Sequence, residues 1–225
     1  MKIGALLFPR MDQTDFTGPF EVLSRVPQST FYVVGKDTAP IRDAKGLILT
    51  PEVTFAEAPQ LDLLVVPGGF GVNALMEDDE VLAFIRTQAA GTRMLLSVCT
   101  GALLCGAAGL LRGKRVTTHW ASHHLLAEFG AIPVDERVVV DGNYVSTAGV
   151  TAGFDGSLTV VSLLWGQRTA EEIQLYLEYA PEPPFHSGTP ATAPPEVLAS
   201  AREGLRATTE ARLAIVRRAV ERLAQ

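Results

Sequence analysis

Cysteine is scarce in this chain of 225 residues: there are two, Cys99 and Cys105. They lie six residues apart at a single helix start and project to different faces, which argues against a disulfide and fits a reducing cytoplasm. Basic clusters are also missing. The net charge is -6, the pI is near 5.3, and no Lys/Arg run is longer than Arg217-Arg218, so the chain has no electrostatic footprint for nucleic acid. No segment has the length of a membrane span, and the short apolar run in MKIGALLFPRMD leads into polar residues and not into a small-residue cleavage site. Neither a membrane partner nor a signal peptide is expected. Internal repeats and low-complexity tracts are absent, and a small uncharged or apolar ligand suits this composition better than a polyanion.

Cofactor motifs are lacking as well. PGGFGVN has neither the lysine nor the spacing of a P-loop or a dinucleotide fingerprint. His119 and His123 in THWASHH stand four apart, a spacing that metal sites use, but no glutamate lies between them and no cysteine cluster completes a ligand set. From these motifs neither a metal site nor a phosphate-binding loop is expected. His186 falls in a Pro-rich stretch with no evident role.

What the chain does have is a core: 47% of its residues are hydrophobic and 20% charged, enough for one globular domain. Lys2 to Phe8, Thr30 to Lys36, Leu61 to Val66 and the segment RMLLSV read as buried strands. Helical patterns alternate with them: TDFTGPFEVLSRV, with Asp15 or Thr17 near its start and Pro19 in the first turn, then Asp78 to Ala90, a helix ending at Gly130, and Thr151 to Gly166 followed by Thr169 to Tyr179. Asp141-Gly142 marks a hairpin. Continuous apolar strands between helices predict an α/β fold with a mostly parallel, doubly covered sheet. Residues 1–180 form that domain. APEPPFHSGTPATAPPE is a tether, and an amphipathic helix from about Pro195 to Leu223 packs on the same domain or on a partner subunit.

In such sheets ligands bind where loops leave the carboxyl ends of the strands. Three loops there carry unusual residues: Asp15, Gly68-Gly69 and Cys99. The sequence SVCTGA around Cys99 has the small-x-nucleophile-x-Gly character of a sharp strand-to-helix elbow, and a thiol at a helix N-terminus is favoured as the thiolate, the nucleophilic form. Cys105, within ALLCGAAG, reads as core filler. Thr100, not histidine, follows Cys99, which weakens a protease reading. Asp15 is the candidate proton partner, its pKa raised by burial, with a helix N-cap as the plain alternative. The N–H groups of Gly68 and Gly69 could stabilise an anion formed on substrate, or the pair could serve only a turn. His119, next to a strand end, borders the pocket in this reading.

Together DFTGPFEVL, LLVVPGGFG, LLSVCTGALLCGAAGLLRGKRVTTHW and STAGVTAGFDGSL resemble the ThiJ/PfpI superfamily, from the N-terminus to about Leu177. Within it, the Asp15 context, Cys99-Thr100 and the segment QLYLEYAPEPPFHSGTP look most like the isocyanide hydratases. That resemblance implies a flavodoxin-like α/β sandwich, a homodimer and cofactor-independent hydration of an isocyanide to an N-formamide. It gives Cys99 the role of nucleophile, Asp15 that of acid/base and Thr100 that of their support, with backbone groups around Ala148 and Val150 positioning the aspartate. Amidotransferase-like sensor domains of AraC-type regulators share TTHW, but they run on into a helix-turn-helix, which is not expected here. Two rivals remain: glyoxalase or deglycase chemistry on 2-oxoaldehydes, whose enzymes often carry glutamate in the first loop, and a non-catalytic cysteine redox sensor or binding module.

Overall fold

The computed structural model describes residues 1–224. In chain order its elements are β1 (Lys2–Leu6), α1 (Gln13–Leu23), β2 (Thr30–Gly35), β3 (Ile41–Arg42), β4 (Ile48–Leu49), β5 (Val53–Thr54), β6 (Leu63–Val66), α2 (Val72–Leu75), α3 (Asp79–Gly91), β7 (Met94–Ser97), α4 (Gly101–Ala107), β8 (Arg115–Val116), a 3-10 helix (Trp120–Phe129), β9 (Ile132–Pro133), β10 (Val138–Asp141), β11 (Tyr144–Thr147), α5 (Ala152–Trp165), α6 (Gln167–Tyr176) and α7 (Pro195–Leu223). Seven strands make the central sheet in the order β10-β11-β7-β6-β1-β2-β5. Its pairs are parallel except for the β10–β11 hairpin at one edge.

The reason lies in the strands themselves. β6 reads LLVV and β7 reads MLLS, and every residue of both is buried. A strand apolar on both faces is stable only when helices cover both, which the connecting helices of a parallel sheet supply. α3 is capped by Asp78, whose side chain accepts from the N–H groups of Glu80 and Val81, with Asp79 and Glu80 adding acidic charge to the first turn.

One sequence expectation changes in detail. The segment after THW is a 3-10 helix and not an α-helix, so its turns hold three residues and His119 and His123 do not align on one face. Residues 180–194 contain no helix or strand, and α7 packs against the 3-10 helix and α4 of its own chain through a narrow stripe in which Val216 and Ala219 are buried. Among the described residues, no helix is long and apolar enough to cross a membrane.

Candidate active site

β1, β6 and β7 are parallel neighbours, so the loops following them leave the same end of the sheet and bring Asp15, Gly68-Gly69 and Cys99 together. At Cys99 the chain turns from β7 into α4 through a φ of 54°. The other non-glycine residues at positive φ among those described, Arg10, Gln28 and Glu178, are exposed, whereas Cys99 is buried. A side chain in that conformation costs about 1–2 kcal/mol, so the surroundings must impose it. They do so from three directions. Val98 donates its N–H to the Val66 carbonyl at 3.0 Å, and the N–H of Gly101 bonds Val98 O at 2.9 Å. The Thr118 hydroxyl donates to the Cys99 carbonyl at 2.6 Å. Gly101 lies so close under β6 that a Cβ there would overlap the Val66 carbonyl oxygen.

Asp15 is free for chemistry because another residue caps its helix. Asp12 is the N-cap of α1 and accepts from the Thr14 N–H at 3.0 Å. Asp15, in the first turn, is fully buried; its Oδ2 accepts from the Gly68 N–H at 3.0 Å, and its Oδ1 has no hydrogen-bond partner among the described residues. Burial, and secondarily the charge of Asp12, pushes its pKa up to about 8, against the opposing pull of the Gly68 N–H and the Cys99 thiol. The carboxyl therefore keeps its proton at neutral pH.

Gly68 lets the three loops meet: a Cβ on it would sit 2.7 Å from Thr100 Oγ1 and 2.8 Å from Asp15 Oδ2. The N–H groups of the glycine pair are already engaged. That of Gly68 holds Asp15, and that of Gly69 donates to Thr100 Oγ1 at 2.9 Å. In this structure they position the acid and the threonine, a correction to the idea that they lie open toward a substrate anion.

The thiol also departs from expectation. Burial first, then the charge of Asp15, raises the Cys99 pKa well above the ordinary thiol value, and only the Thr100 N–H opposes this from the backbone. α4 has seven residues and contributes too little at its N-terminus to outweigh desolvation. Cys105 is buried in α4 with its pKa at about 12, pushed up by the same loss of water.

His119 is the N-cap of the 3-10 helix, where its Nδ1 accepts from the Ala121 N–H at 3.3 Å, so the ring hydrogen belongs on Nε2. Burial and then the Arg212 charge hold its pKa below the ordinary histidine value, which leaves the ring neutral at pH 7. The ring abuts Gly149, where a Cβ would lie 3.3 Å from His119 Cδ2. His123 turns away to Val134 O at 3.0 Å, and no group of three or more metal-ligating side chains occurs among the described residues. The loop before α5 does not hold Asp15 as expected. The Ala148 N–H bonds Arg137 O at 2.9 Å, the Val150 carbonyl accepts from Gly153 at 3.2 Å, and no hydrogen bond runs from either residue to Asp15 among the described residues.

Two contributors escaped the sequence reading. Thr118 lies inside VTTHW, where a buried threonine at a strand end was the available signal. Arg212, in α7, is only 6% exposed and sends its guanidinium to Asn73 Oδ1 at 2.7 Å, Ser122 Oγ at 2.8 Å and the Gly69 carbonyl at 3.4 Å. Its clue was spacing, since Arg212 shares one helical stripe with Val216 and Ala219. A surface cavity of about 710 Å³ lies between α1 and α6 and is not lined by Cys99.

A family model described as DJ-1/PfpI matches residues 1–163. The chain is 51% identical over 223 residues to an isonitrile hydratase of Pseudomonas putida, covering 99% of this chain and 98% of that protein. A glutathione-independent glyoxalase, DJR-1.2 of Caenorhabditis elegans, is 27% identical over 65% of this chain and 78% of its own length. Among solved structures, a ThiJ/PfpI family protein from Pseudomonas syringae superposes with a TM-score of 0.93 at 40% identity, covering 96% of this chain and 90% of that one.

Proposed function

From a chain that belongs to the DJ-1/PfpI family, we infer an isocyanide hydratase, an enzyme that adds water to R–N≡C and releases the N-formamide. The observation that carries the reading is a protonated, buried Asp15 coupled to the Cys99 thiol. An isocyanide reacts by adding a nucleophile and a proton to the same terminal carbon. A neutral acid beside sulfur serves that chemistry, and a general base alone does not.

At pH 7 the resting pair holds both protons, and the reactive form, a minor species, pairs the Cys99 thiolate with protonated Asp15. Sulfur bonds to the terminal carbon, Asp15 gives the same carbon its proton, and the thioimidate R–N=CH–S–Cys forms while Asp15 becomes the carboxylate. Water then adds across C=N, hydroxyl to carbon and hydrogen to nitrogen. Asp15 takes the hydroxyl proton as the C–S bond breaks, which frees the formamide and restores thiolate and acid. In this reading Thr100 supports sulfur with its N–H and anchors Gly69 with its hydroxyl, and Gly68 and Gly69 act through Asp15 and Thr100. The neutral His119 offers Nε2–H to the substrate nitrogen or the formamide oxygen, beside the loop that holds Ala148 and Val150.

The functional unit in this reading is a homodimer. Leu175 and Tyr176 near the end of α6, 81% and 74% exposed, offer apolar surface for it. Two free cysteines suit a reducing cytoplasm. The test is incubation of purified protein, with Cys99 verified as reduced by mass, with alkyl and aryl isocyanides and with methylglyoxal. Formamide should form with the wild type and Cys105→Ala, and not with Cys99→Ala. Turnover of methylglyoxal alone would move the assignment to 2-oxoaldehyde chemistry.

A further inference from the structure

A buried cation with only neutral hydrogen-bond partners calls for an anion, because an uncompensated charge in the interior is strongly disfavoured. Arg212 is such a cation: its hydrogen bonds go to an amide, a hydroxyl and a backbone carbonyl. Docking of α7 does not explain it. The same helix already ties itself to the body through Arg218 on Glu77 at 2.7 Å and Arg222 near Asp79 at 3.6 Å, both at the surface where ionic contacts need no desolvation. A neutral side chain at 212 could make the remaining anchor.

Its position points to the missing anion. Arg212 grips the Gly69 carbonyl, the Gly69 N–H holds the Thr100 hydroxyl, and Thr100 follows Cys99 in the chain. The titratable groups sharing this region are Asp15 and Asp12 from α1, His119 at the head of the 3-10 helix, and Cys99. Asp15 is protonated and His119 neutral at pH 7, and Asp12, though charged, turns to the Thr14 N–H and makes no hydrogen bond with Arg212 among the described residues. The turnover scheme places one negative charge on the Cys99–Asp15 pair, on sulfur before attack and on the carboxylate after it. We propose that Arg212 is the counter-cation of that charge, a positioning residue that acts through its field and through Gly69 and Thr100 without touching substrate. The Cys99 charge strengthens proton binding by Arg212, and coupling of this kind is reciprocal, so Arg212 favours the thiolate against the larger opposing effects of burial and Asp15.

The proposal rests on Cys99 as nucleophile but not on the identity of the substrate, so it can be tested with no isocyanide present. In a Cys105→Ala background, the midpoint of thiolate formation is read from ultraviolet absorbance and from the pH profile of alkylation by iodoacetamide. Arg212→Gln should raise the midpoint by a unit or more, about a tenfold loss of thiolate below it, and Arg212→Lys should recover part of the shift. Ser122→Ala loosens the anchor but keeps the charge, and should leave the midpoint in place. A wild-type midpoint in Arg212→Gln, or an equal shift in Ser122→Ala, overturns the assignment. A second measurement needs no variant at position 212: in arginine-labelled protein the Arg212 Nε–H resonance should move as Cys99 titrates and stay fixed in Cys99→Ala. A resonance that ignores the thiol refutes the coupling.

Discussion

Replacing Asp15 with asparagine isolates what it costs to keep that carboxyl inside the fold. Asp15 has a pKa of about 8 in the folded chain against an ordinary value of 3.8, chiefly because burial removes water from the charged form. Between those two pH values the native protein holds a proton that the unfolded chain has released. Stability is thus fully present below about pH 4, falls as pH rises through the window, and levels off above about pH 8. At 1.36 kcal/mol per pKa unit, the loss accumulated by pH 7 is on the order of 4 kcal/mol. Asparagine is nearly isosteric, never ionises, and retains an oxygen that can accept the Gly68 N–H. Asp15→Asn should therefore match the wild type near pH 4, exceed its stability by about 2–4 kcal/mol at pH 7, and lose the hydratase activity. Urea unfolding followed by Trp120 and Trp165 fluorescence at several pH values, at one protein concentration, measures the difference. An advantage that does not change with pH would refute the reasoning, because it would show that Asp15 titrates alike in folded and unfolded chains.

Other consequences follow from the elbow. Gly101→Ala drives a methyl group into the Val66 carbonyl, backbone that cannot yield, and should cost about 3 kcal/mol or more, seen as a lowered Tm or loss of folded protein. Thr118→Val removes the donor to the Cys99 carbonyl and should cost about 1–2 kcal/mol in denaturant unfolding, with kcat falling more than KM rises as the nucleophile drifts.

The sheet was the most legible part of the sequence, because LLVV and MLLS are apolar on both faces and allow few other placements. Cys99 was legible for a related reason: an apolar run stopping at a cysteine, with Gly101 and Ala102 after it, has few uses besides a turn. Its protonation was not legible, since the helix N-terminus could be read from sequence whereas the depth of burial could not. Asp15 was ambiguous until Asp12 proved to be the cap. The helix type around His119 and His123 was not legible, because four-residue spacing means one face only in an α-helix, and local sequence does not separate that from 3-10. Arg212 escaped because an arginine in an amphipathic helix is ordinarily solvated, and only the packing of α7 shows which of its faces is covered.

The thin seam under α7 has a consequence for how this protein can be taken apart. Arg212, Val216 and Ala219 are the buried residues of the helix, and residues 180–194, which join it to the body, are mostly exposed and carry no helix or strand. The helix thus behaves as an intramolecular ligand, held at an effective concentration in the millimolar range by a short tether. Cutting the tether would turn docking into a bimolecular equilibrium, and a synthetic peptide of residues 195–224 could then be titrated back onto a body that still carries the thiol, the acid and the elbow.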